Sequence, residues 1–250
     1  MTRFSLTGRV AMVTGCNKGL GQGIAVALAE AGADIVGVNR RAAEETRGRI
    51  ESLGRRYLNL EAQLGDDPAE AIVARAVEGL GQVDILVNNA GTIRRAPALE
   101  FTEADWDAVL DINLKAAFFL SQQVARHLVE RKAPGRIVNI ASVLSFQGGI
   151  RVPSYTASKS GILGLTRLLA NEWASHGITV NAIAPGYMAT DNTQALRDDE
   201  NRSAEILGRI PAGRWGTPED LAGAAIFLCS DGAAYVNGHA LAVDGGWLAR

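Results

Sequence analysis

Apolar residues arrive in this chain in short runs, each closed by glycine, asparagine or proline, and most runs lead into a longer stretch where they recur at helical spacing. Residues 9–14 (Arg-Val-Ala-Met-Val-Thr) form such a run, ended by Gly15, and residues 21–32 follow with Ile24, Val26 and Leu28 among alanines. The pattern predicts strand, glycine loop, helix. Residues 35–38 predict a second strand and 57–64 a third. A helix over 68–80 with Pro68 in its first turn comes next, then a fourth strand over 83–87 closed by Asn88-Asn89-Ala90-Gly91. Residues 103–131 read as one long helix opened by Thr102 and Asp105 in a capping-box-like start, with Asn113 among Ile112, Leu114 and Phe118. The run up to Ala141 predicts a buried strand, and Ile162, Leu165, Leu168, Leu169 and Trp173 predict a helix over 155–174. A strand over 179–184 ends in Pro185-Gly186, a helix begins near Thr217 and runs to Cys229, and 240–243 is a last strand. Residues 191–210 are polar, charged and weakly periodic, and read either as a mobile lid or as a plain surface helix.

Strands alternating with helices in this way imply a parallel sheet with right-handed crossovers, whose ligands bind beyond the carboxyl ends of the strands. The glycine loop, Asn39, the 88–91 turn and Ser142 all fall at such ends. With 250 residues, 47% of them hydrophobic, and 28 glycines, the chain suits one α/β domain over 1–250, with 188–212 as its lid. Neither an apolar run of membrane-spanning length nor the apolar core of a signal peptide is present, so the expectation is a cytoplasmic protein without a membrane partner. A net charge of −2 without a basic block speaks against nucleic acid. Cys16, Cys229, His127, His176 and His239 are scattered and make no metal-type spacing, so no metal is expected.

Candidate chemistry then comes from three places. Tyr155 and Lys159 stand one helical turn apart, thirteen residues after Ser142, an arrangement suited to proton chemistry on a carbonyl. Taken alone, such a pair equally marks a stray tyrosine and a solvated lysine. Gly15, Gly19 and Gly21 let backbone approach a pyrophosphate at a helix N-terminus, or serve a tight turn and close packing. Asn39 stands where an acidic side chain would hydrogen-bond an adenosine ribose, and Arg40 and Arg41 either pair with a 2′-phosphate or begin a solvated helix.

Together, Thr14-Gly15-x-x-x-Gly19-x-Gly21, Asn88-Asn89-Ala90-Gly91, Asn113, Ser142, Tyr155-x-x-x-Lys159 and Pro185-Gly186 resemble the short-chain dehydrogenase/reductase family over essentially the whole chain. The resemblance implies a doubly wound Rossmann-type sheet of about seven parallel strands with helices on both faces, assembled as a homotetramer. It implies that Tyr155 is the general acid/base, that Lys159 binds the nicotinamide ribose and lowers the tyrosine pKa, that Ser142 holds the substrate oxygen, and that Asn113 supports a water chain to Lys159. The implied cofactor contacts are Gly15, Asn17, Lys18, Gly19, Leu20, Gly21, Asn39, Arg40, Leu64, Asn89, Ala90, Gly91, Tyr155, Lys159, Pro185, Gly186, Met188 and Thr190.

Within the family, Gly91-Thr92-Ile93-Arg94-Arg95, residues 186–193 and residues 209–216 are similar to the subgroup of 2-dehydro-3-deoxy-D-gluconate 5-dehydrogenases, also called 2-deoxy-D-gluconate 3-dehydrogenases. The implied reaction interconverts a keto group and a secondary alcohol on a deoxy sugar acid, with Arg94, Leu144, Gln147, Arg151 and Tyr187 near that small-molecule substrate. Either arginine offers a fork for a carboxylate, or sits on a solvated rim or a subunit contact. Gluconate 5-dehydrogenase, 3-oxoacyl thioester reductase and a non-catalytic nucleotide-sensing protein are the alternatives. Two positions depart from the pattern: Gln63 stands where many relatives carry an acid at the adenine pocket, and the subgroup implies NAD while Arg40 and Arg41 suit NADP. The expected cofactor is therefore NAD(P)(H), with NAD first and NADP open.

Overall fold

The computed structural model describes residues 2–250. Strands β1 (Val10–Thr14), β2 (Asp34–Asn39), β3 (Tyr57–Glu61), β4 (Ile85–Asn88), β5 (Gly135–Ile140), β6 (Ile178–Pro185) and β7 (Ala240–Val243) form one seven-stranded sheet in the order β3-β2-β1-β4-β5-β6-β7. Every pairing is parallel. The central strands are buried on both faces, which is why they read as unbroken apolar runs. Along β1, Ala11 and Val13 join one core while Val10 and Met12 join the other, the period-two division that a two-sided sheet imposes.

Helices α1 (Gly19–Glu30) and α9 (Ala222–Cys229) supply the first core, and α3 (Ala69–Leu80) and α5 (Ala117–Glu130) the second. Helix α2 (Glu44–Ser52) went unread in the sequence because only Thr46 and Ile50 of its residues are buried, too few to make an apolar stripe. The helix expected over 103–131 is interrupted: α4 (Glu103–Leu110) and α5 are joined by a π-helical turn, Asp111–Ala116, which carries Asn113. A widened turn is invisible to apolar periodicity, and such turns recur at functional sites. Helix α6 (Pro153–Trp173) follows β5, and the 191–210 stretch folds as a 3-10 turn, Asp191–Thr193, followed by the short helices α7 (Gln194–Asp198) and α8 (Glu200–Arg209).

The chain runs outward from β1 to β3 and then crosses to β4 on the other side of β1, so the loops after β1 and β4 diverge and open a crevice between them. Under that crevice a buried polar chain ties sheet to helices. The Asn88 amide donates to Asn139 Oδ1 at 2.8 Å and Ser121 Oγ at 2.9 Å, and the Asn139 amide donates to Thr166 Oγ1 at 3.0 Å. This joins β4 and β5 to α5 and α6, and each of these side chains is buried. Removing the middle member strands its neighbours without water. Asn139→Ala is expected to cost about 1–3 kcal/mol of stability, read as a lower urea midpoint with an unchanged denaturant slope.

Candidate active site

The loop after β1 is held open for a ligand by close backbone packing. Gly15 (φ +66°) and Gly19 (φ +59°) occupy the left-handed region that side chains disfavour. A Cβ on Gly21 would sit 2.2 Å from Gly15 O and 2.4 Å from Asn89 Nδ2, so only glycine fits there. Thr14 Oγ1 accepts from the backbone N–H groups of Asn89 (3.0 Å) and Ala90 (2.9 Å), while Asn89 Nδ2 donates to Thr14 O (2.9 Å) and Gly15 O (3.1 Å). The two diverging loops are thereby locked together. Helix α1 starts at Gly19 with no side-chain cap, so its first N–H groups lack protein acceptors and face the crevice with the positive end of the helix dipole. A cradle of glycines at an uncapped helix start fits a dinucleotide pyrophosphate. Asn17, Lys18 and Leu20 lie on this loop, and Thr190 faces Gly19 from the far side, its Cγ2 3.9 Å from where a Cβ would stand.

At the end of β2, Asn39 is turned inward. Its amide donates to Asn59 Oδ1 (2.9 Å), Tyr57 Oη (3.3 Å) and Cys16 Sγ (3.6 Å), and its own Oδ1 has no partner. The side chain is therefore committed to β3 more than the sequence suggested, whereas Arg40 and Arg41 remain exposed. Burial raises the pKa of Cys16 and of Tyr57, so both are neutral packing partners here.

Ser142, Tyr155, Lys159 and Asn113 come together where β5, α6 and the π-helical turn meet. Lys159, only 4% exposed, donates from Nζ to Ile140 O at 2.6 Å, and burial pushes its pKa down to about 8. Its Nζ lies 5.7 Å from the centroid of the Tyr155 ring. Ser142 caps the short 3-10 turn Val143–Ser145, its Oγ accepting from Leu144 N at 3.1 Å, which leaves the hydroxyl proton free to be donated. Burial raises the Tyr155 pKa; the Ser142 hydroxyl and then the charge of Arg95 pull it down. Lys159, to which the resemblance gives a further lowering, is itself desolvated and donates to a strand carbonyl. Asn113 Oδ1 accepts from Thr92 N at 2.8 Å, and its amide donates to Thr92 O (3.0 Å) and Ser158 Oγ (3.2 Å).

Two serines that the sequence reading passed over hold this geometry. Ser145 Oγ accepts from Ser142 N (3.2 Å) and donates to Lys159 O (2.7 Å), a strut between the serine loop and α6. Ser158 Oγ donates to Tyr155 O at 2.8 Å and accepts from Asn113, linking the π-helical turn to the tyrosine. Their signal was adjacency: one stands three residues after Ser142, the other one residue before Lys159.

The remaining residues divide. A Cβ on Gly186, after Pro185, would lie 2.6 Å from Asp244 Cα, and Met188 forms a bridge to Gly216, so this loop is pinned by close approach. Tyr187 packs against Trp215 and Trp247 with ring centroids 5.7 and 4.6 Å away. Gln147 Oε1 accepts from Arg209 at 3.2 Å, and Leu144 is half-buried beside Ser142. Leu64 lines a cavity of about 330 Å³ with Asp66, Lys115 and Phe119. Arg94 is paired with Asp105 at 3.3 Å, and Arg151 is exposed with φ +64°. The neighbouring Arg95, unnamed among the expected substrate residues, reaches across to Asn192 O at 2.9 Å.

The arrangement has known counterparts. The family profile described as enoyl-(acyl carrier protein) reductase matches residues 15–248. The chain is 62% identical, over 100% of its length and 99% of the relative's, to a 2-dehydro-3-deoxy-D-gluconate 5-dehydrogenase of Escherichia coli K12. A crystal structure of a candidate 2-deoxy-D-gluconate 3-dehydrogenase from Agrobacterium tumefaciens with bound NADP superposes with a TM-score of 0.95 at 58% identity, covering 100% of both chains. A gluconate 5-dehydrogenase from Burkholderia cenocepacia J2315, in complex with NADP and tartrate, superposes with a TM-score of 0.94 at 40% identity, covering 99% of this chain and 98% of that one.

Two outcomes test the site. Gly21→Ala is expected to weaken nicotinamide-cofactor binding by roughly tenfold or more, the size of a packing strain of about 1–3 kcal/mol, in a fluorescence titration. Lys159 bears on stability through pH. Its folded pKa of about 8 lies below the ordinary value of 10.5, so between these values the unfolded chain holds the extra proton and the lysine's contribution to stability rises with pH. Lys159→Met is expected to abolish that rise, measured as the difference in unfolding free energy between wild type and variant across the window.

Proposed function

For this chain, which belongs to the short-chain dehydrogenase/reductase family, we propose a reversible NAD(P)-dependent oxidoreductase acting on the keto or secondary alcohol group of a deoxy sugar acid of the 2-dehydro-3-deoxy-D-gluconate type. The convergence of Ser142, Tyr155 and Lys159 beyond the end of β5 carries the reaction class, and identity of 62% over the whole chain supports the substrate class.

A bound nicotinamide supplies or accepts the hydride and, when oxidised, brings a positive charge to the site. The protein's part is position and protons. The Ser142 hydroxyl, its lone pair engaged by Leu144 N, donates to the substrate oxygen and stabilises charge there by on the order of 2 to 4 kcal/mol. Tyr155 Oη gives its proton to that oxygen in reduction and takes it back in oxidation. With burial holding the phenol protonated, Tyr155 starts as an acid, and nearby positive charge makes it a base. Lys159 has further N–H donors beyond the one on Ile140 O, suited to ribose hydroxyls, and Asn113 holds Thr92 and Ser158 in register with Tyr155. The glycine loop, Asn89 to Gly91, and Pro185 to Thr190 are read as the walls of the dinucleotide site. Both NAD and NADP suit the ribose end, because Asn39 presents no carboxylate and Arg40 and Arg41 are exposed.

The chain is read as one catalytic domain with 188–212 as its lid. That segment is tied to the site on three sides: Asp191 to Lys18, Asn192 O to Arg95, and Arg209 to Gln147. A homotetramer follows from the family reading, with exposed Phe119 on α5 and Leu168 on α6 as apolar surface for its subunits to cover. No helix among the described residues is long and apolar enough to cross a membrane, and we place the enzyme in the cytoplasm.

The test is a panel of deoxy keto acids, gluconates and acyl thioesters, each with NAD(H) and NADP(H), followed by nicotinamide absorbance. Turnover of 2-dehydro-3-deoxyhexonates above the other classes is expected, and activity on acyl thioesters alone overturns the substrate reading. Tyr155→Phe is expected to lower turnover by about 10²- to 10⁴-fold while leaving cofactor affinity nearly unchanged.

A further inference from the structure

A sugar-acid substrate brings a carboxylate, and three arginines stand near the mouth of the site: Arg94, Arg95 and Arg151. Arg94 is engaged with its own neighbourhood, its Nε on Asp105 and its Nη1 near Thr92 Oγ1 (3.4 Å) and Ile93 O (3.5 Å). An arginine already facing a carboxylate is poorly placed to take a second one. Arg151 holds its stretch by its backbone, its carbonyl accepting from Ala96 N at 3.1 Å.

Arg95 differs in that its guanidinium reaches across to the 188–212 segment. It sits on a segment pinned at both ends, through Thr92 to Asn113 and through Ala96 to Arg151, four residues before Tyr155. Its Nη2 donates to Asn192 O at 2.9 Å, while no acidic side chain pairs with it among the described residues. One edge of the guanidinium thus holds the 188–212 segment, and the rest of the fork is free for an anion. Its charge also lowers the Tyr155 pKa, in keeping with its place on the loop after β4 at the carboxyl edge of the sheet.

We propose that Arg95 binds the carboxylate of the substrate and, through Asn192, couples that contact to the position of the 188–212 segment. This rests on the sugar-acid reading above and adds the residue that makes the substrate class anionic. The carboxylate lies away from the carbon that changes oxidation state, so its contact is made equally in the ground and transition states. Losing it therefore raises KM and leaves kcat nearly intact.

The experiment compares Arg95→Gln, Arg95→Lys and Arg94→Gln with wild type in two assays. The first is steady-state kinetics on a deoxy keto hexonate and on a neutral keto sugar of the same carbon length. The second is calorimetric titration of tartrate into each protein saturated with NADP. For Arg95→Gln, KM for the hexonate and Kd for tartrate are each expected to rise on the order of 10- to 100-fold, as for loss of a charge-assisted hydrogen-bond pair, with the neutral substrate unaffected. Arg95→Lys keeps part of the affinity, and Arg94→Gln, which removes the partner of Asp105, loses less than Arg95→Gln. The pH profile of Arg95→Gln on the neutral substrate shifts its Tyr155 limb upward, since a cation that favours phenolate is gone. Equal losses on charged and neutral substrates, or a carboxylate-selective loss in Arg94→Gln instead, overturn the proposal. If wild type ignores hexonates but its tartrate affinity still falls in Arg95→Gln, the carboxylate contact stands and the sugar-acid reading falls. If wild type uses hexonates and neither KM nor tartrate affinity changes in Arg95→Gln, the sugar-acid reading stands and the proposal falls.

Discussion

One buried ammonium carries the arrangement. Lys159 has been taken out of water and given a strand carbonyl, Ile140 O at 2.6 Å, as its partner, and that contact holds α6 against the end of β5. Helix α6 delivers Tyr155 and β5 delivers Ser142, so the distance between the two hydroxyls is set by this junction. The Ser145 strut, bonded to Ser142 N and Lys159 O, closes the same junction from the loop side. A buried amine whose pKa has fallen to about 8 remains a cation at neutral pH at some cost, and such costs are tolerated where the charge serves chemistry.

The sheet supplies what the junction needs on its other flank. Because all seven strands run parallel, their carboxyl ends share one edge, and the order reversal between β1 and β4 opens the crevice there. Glycines allow the backbones of the two loops to touch, and Thr14 and Asn89 bolt them together. The buried chain from Asn88 through Asn139 to Thr166 continues that rigidity into α5 and α6. A cofactor site and a proton site built on one rigid edge keep the hydride carrier and the proton donor in fixed register.

Against this rigid base, the 188–212 segment packs through a small apolar cluster, Ile206 and Ile210 with Val143 and Trp247, and is tied at its surface by side chains. Lys18 from the glycine loop, Arg95 from the loop after β4 and Gln147 from the serine loop each hold it at one point. These ties are exposed and individually weak, and the segment's firmer attachment is Met188, Ile206 and Ile210, which are buried.

Much of this was legible in the residues. Apolar runs marked all seven strands within a few positions, most plainly the central ones, because a strand buried on both faces has no polar alternation to confuse it. Gly15, Gly19, Gly21, Ser142, Tyr155 and Lys159 were readable because their chemistry demands particular residue types at particular spacings. Helix α2 and the π-helical turn were not, since one buries too little to show a stripe and the other breaks the period that would reveal it. Side-chain direction was also beyond reach. Asn39 turns its amide toward Tyr57 and Asn59, and of the adjacent Arg94 and Arg95 one is paired with Asp105 while the other reaches Asn192 O. Spacing along a chain decides which residues share an element; only the packing of distant elements decides which neighbour each side chain finds.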